Sequence, residues 1–409
     1  MVSPDIQSPV PQSPTSKALG HNSAAQKVVV GMSGGVDSSI AAWLLKQQGY
    51  EVVGLFMKNW EDDDGEEYCS ARQDWLDVVS VADILGIDVE AVNFATEYRE
   101  RVFSDFLREY AAGRTPNPDV LCNAEIKFKA FLDHAISLGA NLIATGHYAR
   151  VQHHDQEVQL LKAVDTTKDQ SYFLCQVTEE QITKALFPIG ELLKPNVRKI
   201  AEEAGLPTAK KKDSQGLCFI GKVRLPDFLQ QQLKPKKGSI IEISTDFSVY
   251  AGSETSHKDL INRAKKVRYQ PTDGAIVGEH NGAHFYTVGQ RKGLGVGGNV
   301  EPLFVIDTNV DDNTIYVGQG KEHPGLYRYA LAVAQEDIHW VRGDLALRPG
   351  ETLSIQARIR YRQALQKATL FQTESALYVS FDDPQSAITS GQFVAWYHEK
   401  ELLGSGVIT

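Results

Sequence analysis

The string Ser33-Gly34-Gly35-Val36-Asp37-Ser38 follows an apolar run, Val28 to Val30, and opens a stretch of helical apolar spacing, so it reads as a tight strand-to-helix turn. Such a turn can hold a phosphate. Gly34 and Gly35 let backbone N–H groups approach an anion, the helix N-terminus adds positive potential, and the Ser33 and Ser38 hydroxyls can donate. Asp37 would repel a bare phosphate, which gives it either a magnesium ion or a supporting role. A glycine-rich turn without ligand is the ordinary alternative; the six residues in this strand–turn–helix context favour phosphate.

Two thiols stand in chemically suggestive surroundings. Cys122 closes Arg114-Thr115-Pro116-Asn117-Pro118-Asp119-Val120-Leu121-Cys122, where two prolines predict a rigid loop presenting Asn117, Asp119 and Cys122. An amide beside a carboxylate can read the edge of a flipped base; a turn with a structural cysteine is the competing account. Cys218 follows Lys210-Lys211-Lys212, whose ammonium groups favour the thiolate, the form that attacks sulfur or carries a persulfide. Read alone, Leu217 to Ile220 is equally an apolar strand with a buried thiol. Cys69 and Cys175 lack such surroundings and are read as structural. Four widely spaced cysteines with no C-x-x-C pair fit a reducing cytosol, and neither a disulfide scaffold nor a metal site is expected.

Two further strings imitate nucleotide motifs. Gly216 to Lys222 has the spacing of a Walker loop, but Val223 replaces the hydroxyl residue that would bind magnesium. Gly293 to Gly298 satisfies G-x-G-x-x-G without a helix to follow it. The polar cluster Lys168-Asp169-Gln170-Ser171-Tyr172 suits RNA backbone contact. Arg358-Ile359-Arg360-Tyr361-Arg362 reads as a strand with alternate cations on one face, either for RNA or for solvent.

Positioning these groups takes several domains, and 409 residues allow two or three. Residues 1–26 carry three Ser-Pro steps and no apolar run, and are expected to form a flexible tail rather than a targeting segment. From Lys27 a βαβαβ alternation predicts a Rossmann-like α/β domain on a parallel sheet. Its strands are Lys27–Met32, Glu51–Met57, Val89–Phe94 and Asn141–His147, and its helices Val36–Gln48, Trp75–Leu85, Tyr98–Ala112 and Ala124–Leu138. With a helical connection near 175–235 this domain spans 27–237. A small β-rich domain at 238–301 and a C-terminal β-barrel at 302–409 are expected from the shift to Gly, Thr, Val, Ile and Tyr. No run is long enough to cross a membrane. The net charge of −10 excludes a general nucleic-acid-coating protein, although Lys194 to Lys237 holds 11 basic residues against four acidic ones.

Together these segments resemble the tRNA-specific 2-thiouridylases, a family of the ATP-pyrophosphatase superfamily marked by the Ser-Gly-Gly-x-Asp-Ser loop. The resemblance runs from Lys27 to the C-terminus. It includes Gly54 to Trp60, Gly113 to Cys122, Ala144 to Tyr148, Lys168 to Phe173, Lys210 to Gly221 and Thr287 to Gly298. The Ser/Pro tail is additional, and Thr245 to Tyr269 is longer and more basic than its usual counterpart.

The resemblance implies that ATP adenylates the O2 of the wobble uridine of tRNA and that a protein persulfide then delivers sulfur to C2. Gly31, Met32, Ser33, Gly34, Gly35, Val36, Asp37 and Ser38 would bind ATP with Mg2+, and Met57 and Gly146 the adenosine. Asn117, Pro118 and Asp119 would engage the target base, Asp119 also moving a proton. Cys218 would carry the persulfide and Cys122 would act as nucleophile, leaving a Cys122–Cys218 disulfide. His147, Lys168, Asp169, Gln170, Arg360, Tyr361 and Gln392 would contact tRNA. A persulfide-donating relay protein or cysteine desulfurase is the implied partner, and a cytoplasmic monomer is expected. Another ATP-pyrophosphatase, such as an amide-forming synthetase insensitive to loss of Cys122, and a non-catalytic tRNA-binding protein are the alternatives.

Overall fold

The computed structural model describes residues 26–60, 70–154, 157–213, 225–252, 260–298 and 300–409. The N-terminal tail, Cys69, Cys218 and the Walker-like string lie outside them. Five strands form an all-parallel sheet in the order β3-β2-β1-β4-β7: β1 (Lys27–Gly31), β2 (Glu51–Lys58), β3 (Asp88–Asn93), β4 (Leu142–Thr145) and, after a hairpin of β5 (Ala149–His154) and β6 (Glu157–Lys162), β7 (Ala185–Leu186). Both faces of such a sheet are covered, so its central strand carries apolar residues at every position. Val29 packs into one core with Leu55, Cys122 and Phe131, while Val28 and Val30 face a second core with Ile40 and Val78. Helices α1 (Val36–Gln47) and α2 (Ser70–Leu85) supply that second layer.

The other layer departs from the expected helices. The chain is helical from Ala95 to Ala111 but passes through a π-helical turn at Arg99–Phe103. The helix expected from Ala124 begins at Pro118 instead. Asn117 adopts an extended N-cap conformation and its side chain accepts the Val120 N–H at 3.4 Å, so Pro118 occupies the first helical position, where its missing N–H costs nothing. The predicted rigid loop is thus a helix start, followed by a π-helical stretch from Cys122 to Ala130.

Strands β8 (Gly238–Glu242), β9 (Ala275–His280), β10 (Leu303–Asn309) and β11 (Thr314–Gln319) pair in the order β10-β11-β8-β9. The boundary expected at 301 is therefore displaced: β11 lies parallel against β8, so hydrogen bonding carries the central module through Gln319. Six strands then close on themselves: β12 (Tyr327–Trp340), β13 (Thr352–Arg358), β14 (Gln366–Gln372), β15 (Ala376–Ser386), β16 (Phe393–His398) and β17 (Glu401–Ile408), with β12 pairing both β15 and β17. Leu331, Val333, Leu370, Trp396 and Leu403 fill the barrel. The β5–β6 hairpin adds to its edge through Leu161 opposite Glu401, so a piece of the expected catalytic domain is hydrogen-bonded into the barrel sheet. Among the described residues no helix is long and apolar enough to cross a membrane. Gly293 to Gly298 is irregular, and the next element formed is strand β10.

Candidate active site

The Gly31–Ser38 turn sits at the carboxyl end of the central strand, where ligands bind in open α/β sheets. Gly34 has φ +73°, and a Cβ there would lie 2.6 Å from the Asp74 carbonyl oxygen, so both backbone and space require glycine. Gly35 caps α1 in an extended conformation without any side-chain cap, leaving the first-turn N–H groups for a ligand. The buried Ser38 hydroxyl donates to Gly35 O at 3.1 Å and accepts from Ser33 N–H at 3.1 Å, which folds the turn on itself. A Cβ on Gly146 would fall 2.6 Å from Ser38 N, and one on Gly31 would meet Met57 Cε at 3.4 Å. The residues expected around ATP thus converge on one backbone-lined cradle, which fits a nucleotide polyphosphate.

Asp37 is not an open metal ligand. Lys194 Nζ donates to its two oxygens at 2.8 and 2.7 Å, and the Tyr148 hydroxyl donates at 2.9 Å. Lys194 also bridges to Asp213 at 2.8 Å, where Lys168 and Arg198 add ion pairs at 2.8 and 2.9 Å. Burial alone would raise the Asp213 carboxyl, but hydrogen bonds from Lys168 and Lys194 outweigh it and hold it down at about 2. Burial, then the Asp37 charge, push the Tyr148 hydroxyl far up, so it stays a donor. Among the described residues no three His, Cys, Asp or Glu side chains gather as a metal site. A second cluster holds the turn from behind: Lys211 donates to Gly34 O at 3.0 Å, to Asp74 at 2.7 Å and to Asp77. The thiolate that Lys210–Lys212 is expected to favour at Cys218 lies outside the described residues; within them the Lys211 ammonium pairs with Asp74 and Asp77.

The helix-start segment bearing Asn117, Pro118, Asp119 and Cys122 is fixed by all three modules. Thr115 N–H donates to Ser390 O of the barrel at 2.9 Å, and its hydroxyl meets that of Thr287 in the central module at 3.1 Å. Gln392 Nε2 donates to Thr115 O at 2.7 Å and Pro116 O at 3.3 Å, so this expected tRNA contact is occupied in positioning the segment. The Asp119 carbonyl accepts from Asn123 Nδ2 at 2.8 Å. Cys122 is wholly buried, beside Met57, Phe131 and Leu174 in the same core, and Phe131 reaches within 3.4 Å of the Gly31 Cβ position. Cys175 is buried too, which pushes its thiol up to about 12.

The expected RNA-contacting residues divide. Asp169 is buried and forms an ion pair with Arg358 at 2.7 Å, while also accepting from Ala163 N–H at 3.1 Å and from Ser171. Arg358 donates to Tyr397 and Ser171 as well. Neither is available to RNA. The strand of alternating cations ends at Arg358, because Ile359 to Arg362 turns away and Arg362 has φ +69°. The turn leaves Arg360 exposed, tied by its guanidinium to Ala387 O, and sets Tyr361 against Phe173 with ring centroids 4.3 Å apart. Gln170 accepts from Tyr148 N–H at 2.9 Å. His147, half-buried against Phe128 and Phe187, is held neutral, its pKa lowered well below the ordinary value by burial and then by Lys127. Tyr172 donates to Phe393 O at 2.9 Å and interacts with Asn117. The phosphate turn, the base-side segment and the Lys168–Phe173 loop therefore form one connected site. Sequence reasoning gave no role to Tyr148, Lys194 or Asp213; Tyr148 and Asp213 lie inside segments that carried the resemblance, whereas Lys194 had no local signal.

Family models match residues 26–222, described as a tRNA methyl transferase HUP domain, 258–319, described as a tRNA methyl transferase PRC-barrel domain, and 332–408, described as an aminomethyltransferase beta-barrel domain. The chain is 59% identical over 394 residues, 94% of this chain and 100% of the relative, to a tRNA-specific 2-thiouridylase MnmA of Christiangramia forsetii. Relatives of the same name from Flavobacterium johnsoniae and Paraburkholderia xenovorans are 55% and 53% identical, each across 94% of this chain and 100% and 93% of their own lengths. This similarity, over nearly the whole length of both chains, establishes that the chain belongs to the tRNA-specific 2-thiouridylase family.

Proposed function

We propose that the protein replaces the 2-oxygen of the wobble uridine of tRNA by sulfur, converting ATP to AMP and pyrophosphate. The observation that carries this reading is the connection of an anion-binding turn at β1 to a helix holding Asn117, Asp119 and Cys122. A uridine carbonyl is a poor electrophile. Attack of its O2 on the α-phosphate releases pyrophosphate and turns the oxygen into part of a phosphate leaving group, after which sulfur can displace AMP at C2.

The first-turn N–H groups of α1, with Ser33 and Ser38, would bind the phosphates, and backbone near Met57 and Gly146 the adenosine. Lys194 and Tyr148 take up both Asp37 oxygens, so the turn offers a nucleotide-borne magnesium ion no open carboxylate. Asn117 and Asp119 would orient the flipped pyrimidine, Asp119 accepting or returning a proton. The terminal sulfur of a persulfide on Cys218 attacks C2. Cys122 thiolate then attacks the Cys218 sulfur, so sulfane sulfur is reduced as the two cysteines become a disulfide. A thiol reductant resets them with two electrons, and an external persulfide donor reloads Cys218.

Purified protein with ATP, a labelled persulfide donor and tRNA should transfer label to the wobble nucleoside. It should also release pyrophosphate only when tRNA is present. Cys218→Ser transferring label as fast as wild type would remove the assigned sulfur carrier.

A further inference from the structure

A groove of about 1310 Å³ lies between the central module and the barrel. Its wall is the end of the short Leu260–Ala264 helix and the segment after it, where Lys265 and Arg268 are exposed. Arg263 places its guanidinium 5.1 Å from the ring of Tyr329, which is 42% exposed on the barrel side. The groove is a built feature. Arg328 donates to Ala264 O at 3.1 Å and to Ile388 O at 2.9 Å, clamping the wall to the barrel, and Lys266 pairs with Asp307. Among the described lining residues five side-chain cations stand against two side-chain carboxylates, and with Lys266 and Arg328 so engaged, Lys265 and Arg268 stay exposed on a chain of net charge −10. Field of this sign attracts phosphate, and exposed tyrosine beside arginine suits sugar or base stacking more than an acidic peptide.

The groove also leads somewhere. It shares Ala112, Lys266, Thr308, Ser390 and Thr409 with a second cleft of about 910 Å³ that reaches Thr115, Pro116 and Asn117. Among the described residues that second cleft is lined by more carboxylates than cations, with Arg108 and Arg114 paired to Asp105 and Glu109, so the positive field belongs to the groove.

We propose that this groove is a docking site for the tRNA sugar–phosphate backbone, with Lys265 and Arg268 meeting phosphates and Tyr329 meeting a sugar or base. The proposal rests on the tRNA-thiolation reading and names where the RNA outside the reacting nucleotide is held. Neither cation belongs to the nucleotide or base site. The test is equilibrium binding of unmodified tRNA at several salt concentrations to the wild-type chain, to Lys265→Glu/Arg268→Glu and to the milder Lys265→Gln/Arg268→Gln. Lys199→Glu serves as a charge control from a helix outside the groove, and circular dichroism and ATP binding serve as checks on folding.

The double reversal should weaken tRNA binding at least tenfold and lower the slope of log affinity against log salt by about one to two, with ATP affinity unchanged. The neutral pair should fall between, and the control should stay near wild type. Equal affinity and slope for wild type and both double variants would overturn the proposal, as would an equal loss in the control. A wild-type chain that binds no tRNA would instead defeat the thiolation reading itself.

Discussion

Lys194 is the residue whose loss should be felt most widely, because one ammonium neutralises Asp37 in the phosphate turn and Asp213 beyond it. Its side chain is only 10% exposed, so removing the charge leaves Asp37 with the Tyr148 hydroxyl alone beside the phosphate turn, while Asp213 keeps Lys168 and Arg198. A hydrogen bond to a charged group is worth about 1.5–3 kcal/mol. Lys194→Met should therefore weaken ATP binding by about tenfold or more in calorimetry, and Lys194→Arg by much less; undiminished affinity in the methionine variant would contradict the assignment. Asp213 makes a separate prediction. Its folded pKa of about 2 lies below the ordinary 3.8, so it stabilises the fold above the ordinary value and the contribution is lost as pH falls towards 2. Asp213→Asn should lower the melting temperature near neutrality and remove part of the decline that wild type shows between about pH 4 and 2; identical curves would refute the clamp.

At the scale of elements, the Asn117–Cys122 segment depends on its anchors. Gln392 reaches two carbonyls of that segment, which makes it a positioning residue in the free protein. Gln392→Leu should lower kcat for tRNA thiolation with tRNA affinity preserved, whereas a direct RNA contact would raise Kd for tRNA. Cys122 is buried in the first turns of the same helix, so alkylation should be slow until tRNA and ATP bind; rapid labelling of the free protein, read by mass spectrometry, would contradict the packing. Strands β1, β2 and β4 are legible from apolar runs, since a buried parallel strand has few polar positions to confuse it, whereas the β5–β6 hairpin and the two-residue β7 are not among the expected strands. The helix start was misread because Pro118 signals both a break and a first helical position, and only the extended Asn117 before it separates the two. Arg358 was misplaced for a related reason. Alternation along a strand assigns faces, but whether a face meets solvent or another module is decided by long-range docking, here onto Asp169.

Across the whole molecule, the Asp169–Arg358 pair ties the Lys168–Phe173 loop to the barrel through groups almost without solvent. Breaking one side of a buried pair costs about 3–5 kcal/mol, so Arg358→Met should shift the urea midpoint strongly, and Asp169→Asn/Arg358→Met should recover part of the loss. Additive losses would mean the two act independently. The module plan was readable from composition, yet its seams were not: β10 and β11 pair with the central sheet and the β5–β6 hairpin extends the barrel, both being long-range pairings that no local pattern announces. The interleaving makes one site out of three modules, and its central claim concerns Cys122 and ATP together. The most direct measurement is nucleoside mass spectrometry of unmodified tRNA incubated with the purified chain, ATP and a persulfide donor. Wild type should yield 2-thiouridine and one AMP per sulfur, with Cys122→Ser yielding neither; wobble uridine left unchanged by wild type, or thiolated as well by the serine variant, would contradict the account.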